Sequence, residues 1–359
     1  MPQCSTTPSV CILALAVTAM IAALAAPAPA QLTVTDVGPV VALPPGATGA
    51  SELSGLTWAG GNQYYTVSDG TQSVYPLTID LNMATGAVVS AVLSNGTALS
   101  GASDLEGIAY VASDGSAYVS DETGPAIRRH HLGNGSVLGT IVLPAVFSNI
   151  RANLSLESVS AQAGGASVWT ANEEALTVDG PVSTVGAGTV VRLQKFDAAA
   201  NPAGQWAYVT DGITGDIPAV TVERSGVADM LVLPNGKLLV LERELGQVGI
   251  LPQFRSRIYE VDFTGATDVS ALPGLQGQVY TPVGKALLWE SYFLLDNFEG
   301  MTLGPELSNG DHSLLLISDN GSGLNQGLYA LTLSGPVPEP GALSLLALGC
   351  VALLRRRRA

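Results

Sequence analysis

Oxygen-bearing side chains recur in this sequence at the ends of short hairpins. In residues 104–122, DLEGIAYVASDGSAYVSDE, two apolar runs flank a polar turn, and acids stand before and after them. A two-residue turn at Ser113-Asp114 places Glu106 opposite Asp121, and directly opposed residues share one face of a sheet. Four further segments repeat the pattern. Ser54 faces Asp69 around residues 60–62, and Glu157 faces Asn172 around Gly164-Gly165. Ala228 faces Arg243 across the strong turn dipeptide Asn235-Gly236, and Glu299 faces Asp319 across a longer turn. A set of carboxylates and amides of this kind suits Ca²⁺, which takes oxygen ligands in flexible geometry. Zinc chemistry is excluded, because the body of the chain holds only His130, His131 and His312 and no cysteine.

The starts of these hairpins fall at residues 54, 106, 157, 228 and 299, which leaves room for two more strands after each. Candidates are VYPLTIDL with AVVSAVL, AIRRHHL with GTIVLP, TVVRLQKFD with WAYVT, and SRIYEVDF with TDVSAL; GLYALTL follows the last hairpin. Four strands per unit, repeated with turn-rich joints, predict an all-β chain folded as a β-propeller. Five repeats are clear, and a sixth blade has room in residues 174–226 or 267–298. A strand between Leu32 and Leu43 is placed to close the last blade. In such a disc the inner strands line the channel. The hairpin ends then meet at one mouth, bringing together Asp69, Glu106, Asp121, Glu122, Glu157, Asn172, Glu173, Arg243, Glu299, Asp319 and Asn320. Of these, Glu106, Asp121, Glu122, Glu173, Glu299, Asp319 and Asn320 are the expected metal ligands. The competing reading is structural, since acids at strand ends also cap turns and bond backbone amides. Arg243 has its own, a salt bridge to Glu157 or Glu299 across the channel.

Composition agrees with turn-rich β structure: of 359 residues 41 are Gly and 21 Pro, and only 13% are charged. The formal charge is −15; setting aside Glu339 and the arginines at 355–358 reduces 30 acids to 29 and 15 bases to 11, a net −18. A body this acidic repels nucleic acid and attracts divalent cations, although acidity also simply keeps a secreted domain soluble. The three cysteines, Cys4, Cys11 and Cys350, all lie near the ends, so no disulfide framework braces the body. No G-x-S-x-G elbow or S-x-x-K is present, which leaves serine-esterase chemistry without a motif. His130 and His131 are expected on an outer strand facing solvent, and His312, in the turn NGDHS, is expected to be exposed. Asp179-Gly180-Pro181 reads as a turn.

The two ends read as addresses. Residues 10–26 form an apolar run, and Ala28 and Ala30 fit a signal-peptidase site before Gln31, although no Lys or Arg precedes the run. The C-terminus carries Pro338-Glu339-Pro340, an apolar stretch over 341–354 and four arginines. It resembles the PEP-CTERM sorting signal, and the stretch is short for a permanent span. That resemblance implies a Gram-negative bacterium, export, transient inner-membrane association and cleavage by an exosortase-type enzyme. The expected organisation is a signal helix over 1–30, the propeller over 31–335 and a sorting segment with a short apolar helix over 336–359.

Within the body, DNFEGMTLGP with LLLISDN, LVLERE, and RANLSLESVS followed by EEALTVDGP resemble the phytase-like family, whose domains carry the label "esterase-like activity of phytase". The resemblance spans most of residues 45–333. It implies a β-propeller that hydrolyses phosphoric or carboxylic esters. Its motif positions fall on Glu106, Asp121, Glu122, Arg151, Asn153, Glu157, Glu173, Asp179, Glu242, Arg243, Asn297, Glu299, Asp319 and Asn320. Two positions depart from the pattern: Ser158 replaces the usual Gly after Glu157, and the first unit has Ser54 where an acid would strengthen a metal site. On this reading Glu157, Arg243 and Glu299 are catalytic, while Arg151, Asn153 and Arg243 bind a small-molecule phosphoric ester. A bound Ca²⁺ would neutralise the phosphate and activate water. The alternative is a non-catalytic propeller that binds an extracellular polymer or other matrix component.

Overall fold

The structure, a computed structural model, describes residues 31–43, 49–214 and 224–337. The expected signal helix within 1–30 and the apolar helix within 341–354 lie outside the described residues. Among the described residues no helix is long and apolar enough to cross a membrane.

Two short strands, β1 (Thr33–Asp36) and β2 (Val41–Ala42), come first among the described residues, which form five sheets. Blade 1 holds β3 (Leu53–Gly60), β4 (Gln63–Ser68), β5 (Ser73–Leu81) and β6 (Val88–Leu93), with the short β7 (Thr97–Ala98) added to β5. Blade 2 holds β8 (Leu105–Val111), β9 (Ser116–Asp121), β10 (Ala126–His131) and β11 (Val137–Ile141). Blade 3 holds β12 (Leu156–Ala161), β13 (Ser167–Asn172), β14 (Val190–Asp197) and β15 (Pro202–Val209). Blade 4 holds β16 (Arg224–Val232), β17 (Leu238–Val248), β18 (Leu251–Asp262) and β19 (Gly284–Leu294). Blade 5 holds β20 (Asn297–Glu306), β21 (His312–Asp319) and β22 (Gly327–Ser334), and β1 completes it along β22. The architecture is therefore a five-bladed β-propeller closed by its N-terminal strand. Asp36 of β1 fastens that closure, accepting hydrogen bonds from Trp289 of blade 4 (2.7 Å) and Tyr329 of blade 5 (2.9 Å).

Two expectations about the strands are corrected. The outer strand of blade 4 is β19, not residues 267–272, which form a loop against blade 3, with the bridge Trp206–Asp268 and a bond from the Val269 N–H to the Gln205 carbonyl. The two long spans thus supply β14, β15 and β19, with no sixth blade among the described residues. His130 is also buried rather than solvent-facing, with Nδ1 against the Gly135 carbonyl at 3.2 Å, because a bulge after Arg129 shifts the register. His131 is exposed, as expected. His312 is 7% exposed, because β21 begins at this residue and takes it out of the turn.

Apolar burial lies between blades. One cluster joins Leu239 and Ile258 of blade 4 to Leu314 and Leu331 of blade 5, and comparable clusters fill the other blade junctions. The inner strands β3, β8, β12, β16 and β20 touch their neighbours in a closed circle. Their contact is backbone against backbone. A Cβ on Gly107 would lie 2.3 Å from the Val159 amide nitrogen, and one on Gly300 would lie 2.4 Å from the Ser54 carbonyl. Side chains then stitch the junctions. Thr57 accepts from the Tyr110 N–H, Ser160 from that of Val232, Asp229 from that of Met301, and Thr302 from that of Trp58. Gly107→Ala should cost about 3 kcal/mol or more, since overpacking against an immobile backbone adds to the usual penalty of a strained core; denaturant unfolding measures it, and a loss under about 1 kcal/mol would contradict the close approach.

Candidate functional site

Every inner strand carries a β-bulge near its first residues. The register slips between Leu53 and Leu56, Leu105 and Ile108, Leu156 and Ser158, Val227 and Asp229, and Phe298 and Gly300. The pairing therefore differs slightly from simple hairpin counting: Leu105, not Glu106, stands opposite Asp121. An extra residue in a strand is released from the ladder and its side chain is re-aimed. Glu106, Glu157, Ala228 and Glu299 occupy this position in their blades, with Ser54 at the matching place in blade 1. Three of the five are acids.

The expected rim is consequently real for part of the set. Carboxylate oxygens of Asp104, Glu106 and Glu122 lie within 4.8 Å of one another, as do those of Glu122, Glu157 and Glu173. Glu106 Oε2 accepts from Ser54 Oγ at 2.7 Å, and Glu122 Oε1 from the Ser155 N–H at 2.6 Å. Arg243 reaches in from blade 4, with Nη2 2.5 Å from Glu173 and Nη1 3.2 Å from Glu299. Asn297 donates to Glu299 Oε1 at 2.7 Å. Of the two partners expected for Arg243, Glu299 is bonded; Glu173 takes the place of Glu157. Glu157 is 7% exposed, and its carboxylate accepts no hydrogen bond among the described residues. Ser155 Oγ, also buried, has no partner there either.

Crowding governs the protonation of these groups. Burial, then the charges of Glu106, Glu173, Glu122 and Glu299, push the Glu157 carboxyl well above the usual carboxylate range. Burial and the Glu299 charge push Glu106 the same way, against the Ser54 hydrogen bond. Burial raises Glu122 to about 7 despite its Ser155 bond, and Glu299 to about 8 despite Arg243. For Arg243 burial opposes the charge, but Glu173, Glu299 and Glu157 outweigh it and the net shift is upward. A second acidic group borders the first. Burial and the neighbouring Asp104 raise Asp69 to about 7, with smaller contributions from Glu52 and Asp319. Burial also raises Asp319, whose Oδ1 accepts from the Gly321 N–H at 2.9 Å.

Several sequence candidates stand apart from this cluster. Asp121 is taken up by Ser103 Oγ (2.9 Å) and Arg128 Nη1 (2.7 Å), a bond that holds the blade together. Asn172 is buried, with Oδ1 accepting from the Arg192 N–H. Asn320 accepts from the Glu52 N–H at 2.6 Å and so ties blade 5 to the loop entering blade 1. Arg151 donates to the carbonyls of Ala175 and Gly180, both at 2.9 Å, and fastens the loop after β13. Asn153 is exposed, in a left-handed turn (φ 54°). Asp179 is no simple turn residue, because it grips the fully buried Arg192 through two bonds of 2.7 Å. Glu242 is buried against Tyr208 and Lys285, both at 2.6 Å. Sequence reasoning did not select Glu52, Asp104 or Ser155, which lie in loops leading into inner strands. Only Asp104 gave a signal, standing two residues before Glu106 and therefore on its side of an extended chain.

The family described as phytase-like, "Esterase-like activity of phytase", matches residues 48–321. The chain belongs to that family. No protein among curated sequences matches this member significantly. Several solved structures align with it over much of the chain. An endo-arabinase from Bacteroides thetaiotaomicron aligns with TM-score 0.42 and 10% identity, over 86% of this chain and 99% of that one. A streptogramin B lyase aligns with TM-score 0.34 and 10% identity over 84% and 98%. The hydrazine synthase of Kuenenia stuttgartiensis aligns with TM-score 0.32 and 11% identity, and the match spans 81% of this chain but only 65% of that one. Likenesses this distant carry no functional argument.

The phytase-like mouth should make cation-free stability fall as pH rises. A carboxyl whose folded-state pKa is raised holds its proton more tightly folded than unfolded, so its contribution is full below the ordinary range near 4.5 and is lost through about 7 for Glu122 and about 8 for Glu299. In chelator, thermal unfolding should shift downward between about pH 6 and about pH 9, and Glu157→Gln should reduce the shift. A profile that rises over this window would contradict the crowding of the mouth.

Proposed function

We propose that this phytase-like propeller is a divalent-cation-dependent hydrolase of phosphoric esters, with Ca²⁺ as the cation. The observation that carries the reading is Glu157, a residue 7% exposed whose carboxylate takes no hydrogen bond from the described residues and stands among four other glutamates. A buried, unpaired carboxylate is costly unless it is protonated or bound to a cation. The donor set is all oxygen, which fits a hard cation. The triads Asp104, Glu106 and Glu122, and Glu122, Glu157 and Glu173, which share Glu122, would hold it. When bound, Ca²⁺ supplies neutralisation of the phosphate charge and acidification of a water.

The chain's own groups supply the rest. Burial raises Glu299 above the usual carboxylate range, and Asn297 and Arg243 orient it, so it is suited to protonate a leaving alkoxide. Arg243 holds Glu173 and Glu299 in place and keeps one positive charge at the mouth. The Arg151 guanidinium is engaged by backbone carbonyls, and this reading assigns it to loop positioning rather than to clamping substrate. Residues 1–30 and 336–359 support export and sorting to the cell envelope by the patterns described above.

Purified protein should release phosphate from an aryl phosphate or from phytate when Ca²⁺ is present and lose that activity in chelator. Glu157→Gln should reduce turnover by about 100-fold or more with folding intact, on the scale expected when charge stabilisation at a reacting centre is removed. Activity untouched by chelation would refute the cation. Calcium binding without turnover on any ester would favour a propeller that binds an extracellular polymer.

A further inference from the structure

The strand that closes the disc begins almost at the bond where the leader pattern ends. Ala28 and Ala30 place the signal-peptidase cut before Gln31, and β1 starts two residues later at Thr33. β1 runs along β22 at the edge of blade 5, from Thr33 opposite Ser334 to Asp36 opposite Leu331. Leu32, just before it, is 1% exposed and packs in the apolar cluster shared by blades 4 and 5. The backbone of Gln31 is held close as well, since a Cβ on Gly335 would lie 2.9 Å from its carbonyl oxygen. The Gln31 residue itself is exposed. A cut at this bond would therefore leave a solvent-facing glutamine as the chain end, with its new α-amine in reach of its own side-chain amide.

We propose that Gln31 is a modification site: once it is the first residue of the exported chain, it cyclises to pyroglutamate and blocks the end of the closing strand. The inference rests on the leader reading of residues 1–30 and is independent of the hydrolase reading. The step balances within one residue. The α-nitrogen attacks the side-chain Cδ, the N–Cδ bond forms, the Cδ–Nε2 bond breaks, and ammonia leaves with a proton from the α-amine. It requires no oxidant, metal or co-reactant. An α-amine titrates near about 8, so part of it is the attacking free base at neutral pH. The product replaces a charged ammonium beside buried Leu32 with a neutral lactam. It also removes the free amine that an aminopeptidase requires. Chain ends fray unless they are tied down. Trimming past Gln31 would take Leu32 from the core and then reach β1, whose Asp36 joins Trp289 of blade 4 to Tyr329 of blade 5.

The test is to express the full chain in an exporting Gram-negative host, purify it and weigh its N-terminal peptide. The expected peptide begins at Gln31, is lighter than its sequence by one ammonia, and resists N-terminal sequencing until pyroglutamyl aminopeptidase is added. Gln31→Ala leaves Ala28 and Ala30 in place and should give the same cut with a free amine. A broad-specificity aminopeptidase should then shorten this variant roughly fivefold faster than the unaltered protein, because only the variant offers an open end. An unaltered chain that begins at Gln31 and keeps both its ammonia and its free amine after prolonged incubation near about pH 8 would overturn the inference while leaving the leader reading intact. A chain that begins elsewhere would overturn both. Equal trimming of a cyclised chain and the variant would overturn the protective role.

Discussion

The structure depends on how closely five inner strands can meet around one axis. At Gly107 and Gly300 the neighbouring backbone stands where a Cβ would be, so these strands pack without intervening side chains. That approach brings the first residues of the inner strands together at one mouth. It also explains the pairing of Glu with a following Gly in blades 2 and 5: the first residue is bulged out toward the mouth, and the second must vanish into the contact. Where the glycine is absent, a polar group takes over. Ser158 Oγ accepts from the Ala171 N–H within its own blade, and Asp229 bonds the Met301 N–H of the next.

Elsewhere buried charges of this protein meet opposite charges directly. Arg192 and Asp179 meet in two bonds, and Glu244 takes Arg257 Nη2 at 2.6 Å together with the Thr214 N–H at 3.0 Å. Against that standard the acidic mouth is out of balance. Arg243 answers two of its carboxylates and Glu157 none. The imbalance follows from geometry: the bulge position is filled by an acid in three blades, while the only cation bonded to these acids among the described residues comes from the strand beside Ala228. A stability-driven arrangement would not concentrate like charges at low exposure.

The repeat was legible in the sequence because it is local. Turn dipeptides such as Asn235-Gly236 and the starts at 54, 106, 157, 228 and 299 depend on neighbours along the chain. The closing strand near Leu32 was legible for the same reason. Register was not. Counting from the turn set Glu106 against Asp121, but a bulge after Leu105 sends Asp121 to Arg128 and leaves Glu106 for the mouth. His312 looked like a turn residue and is instead the first residue of a buried strand. The outer strand of blade 4 was misplaced because a loop of residues 263–283 separates it from β18, and hairpin spacing says nothing across such a gap.

By itself, then, the sequence determined that the chain would form repeated four-stranded units and that acids would begin several of them. Alternation, turn chemistry and spacing are properties of short segments, and they survive without knowledge of the whole. Which acids meet was decided only by closure of the disc. Glu106, Glu157 and Glu299 are 51 to 193 residues apart, and Arg243 finds Glu173 and Glu299 from two different blades. Charge interaction falls off with distance through space, not along the chain, so the unpaired state of Glu157 exists only once five blades share an axis.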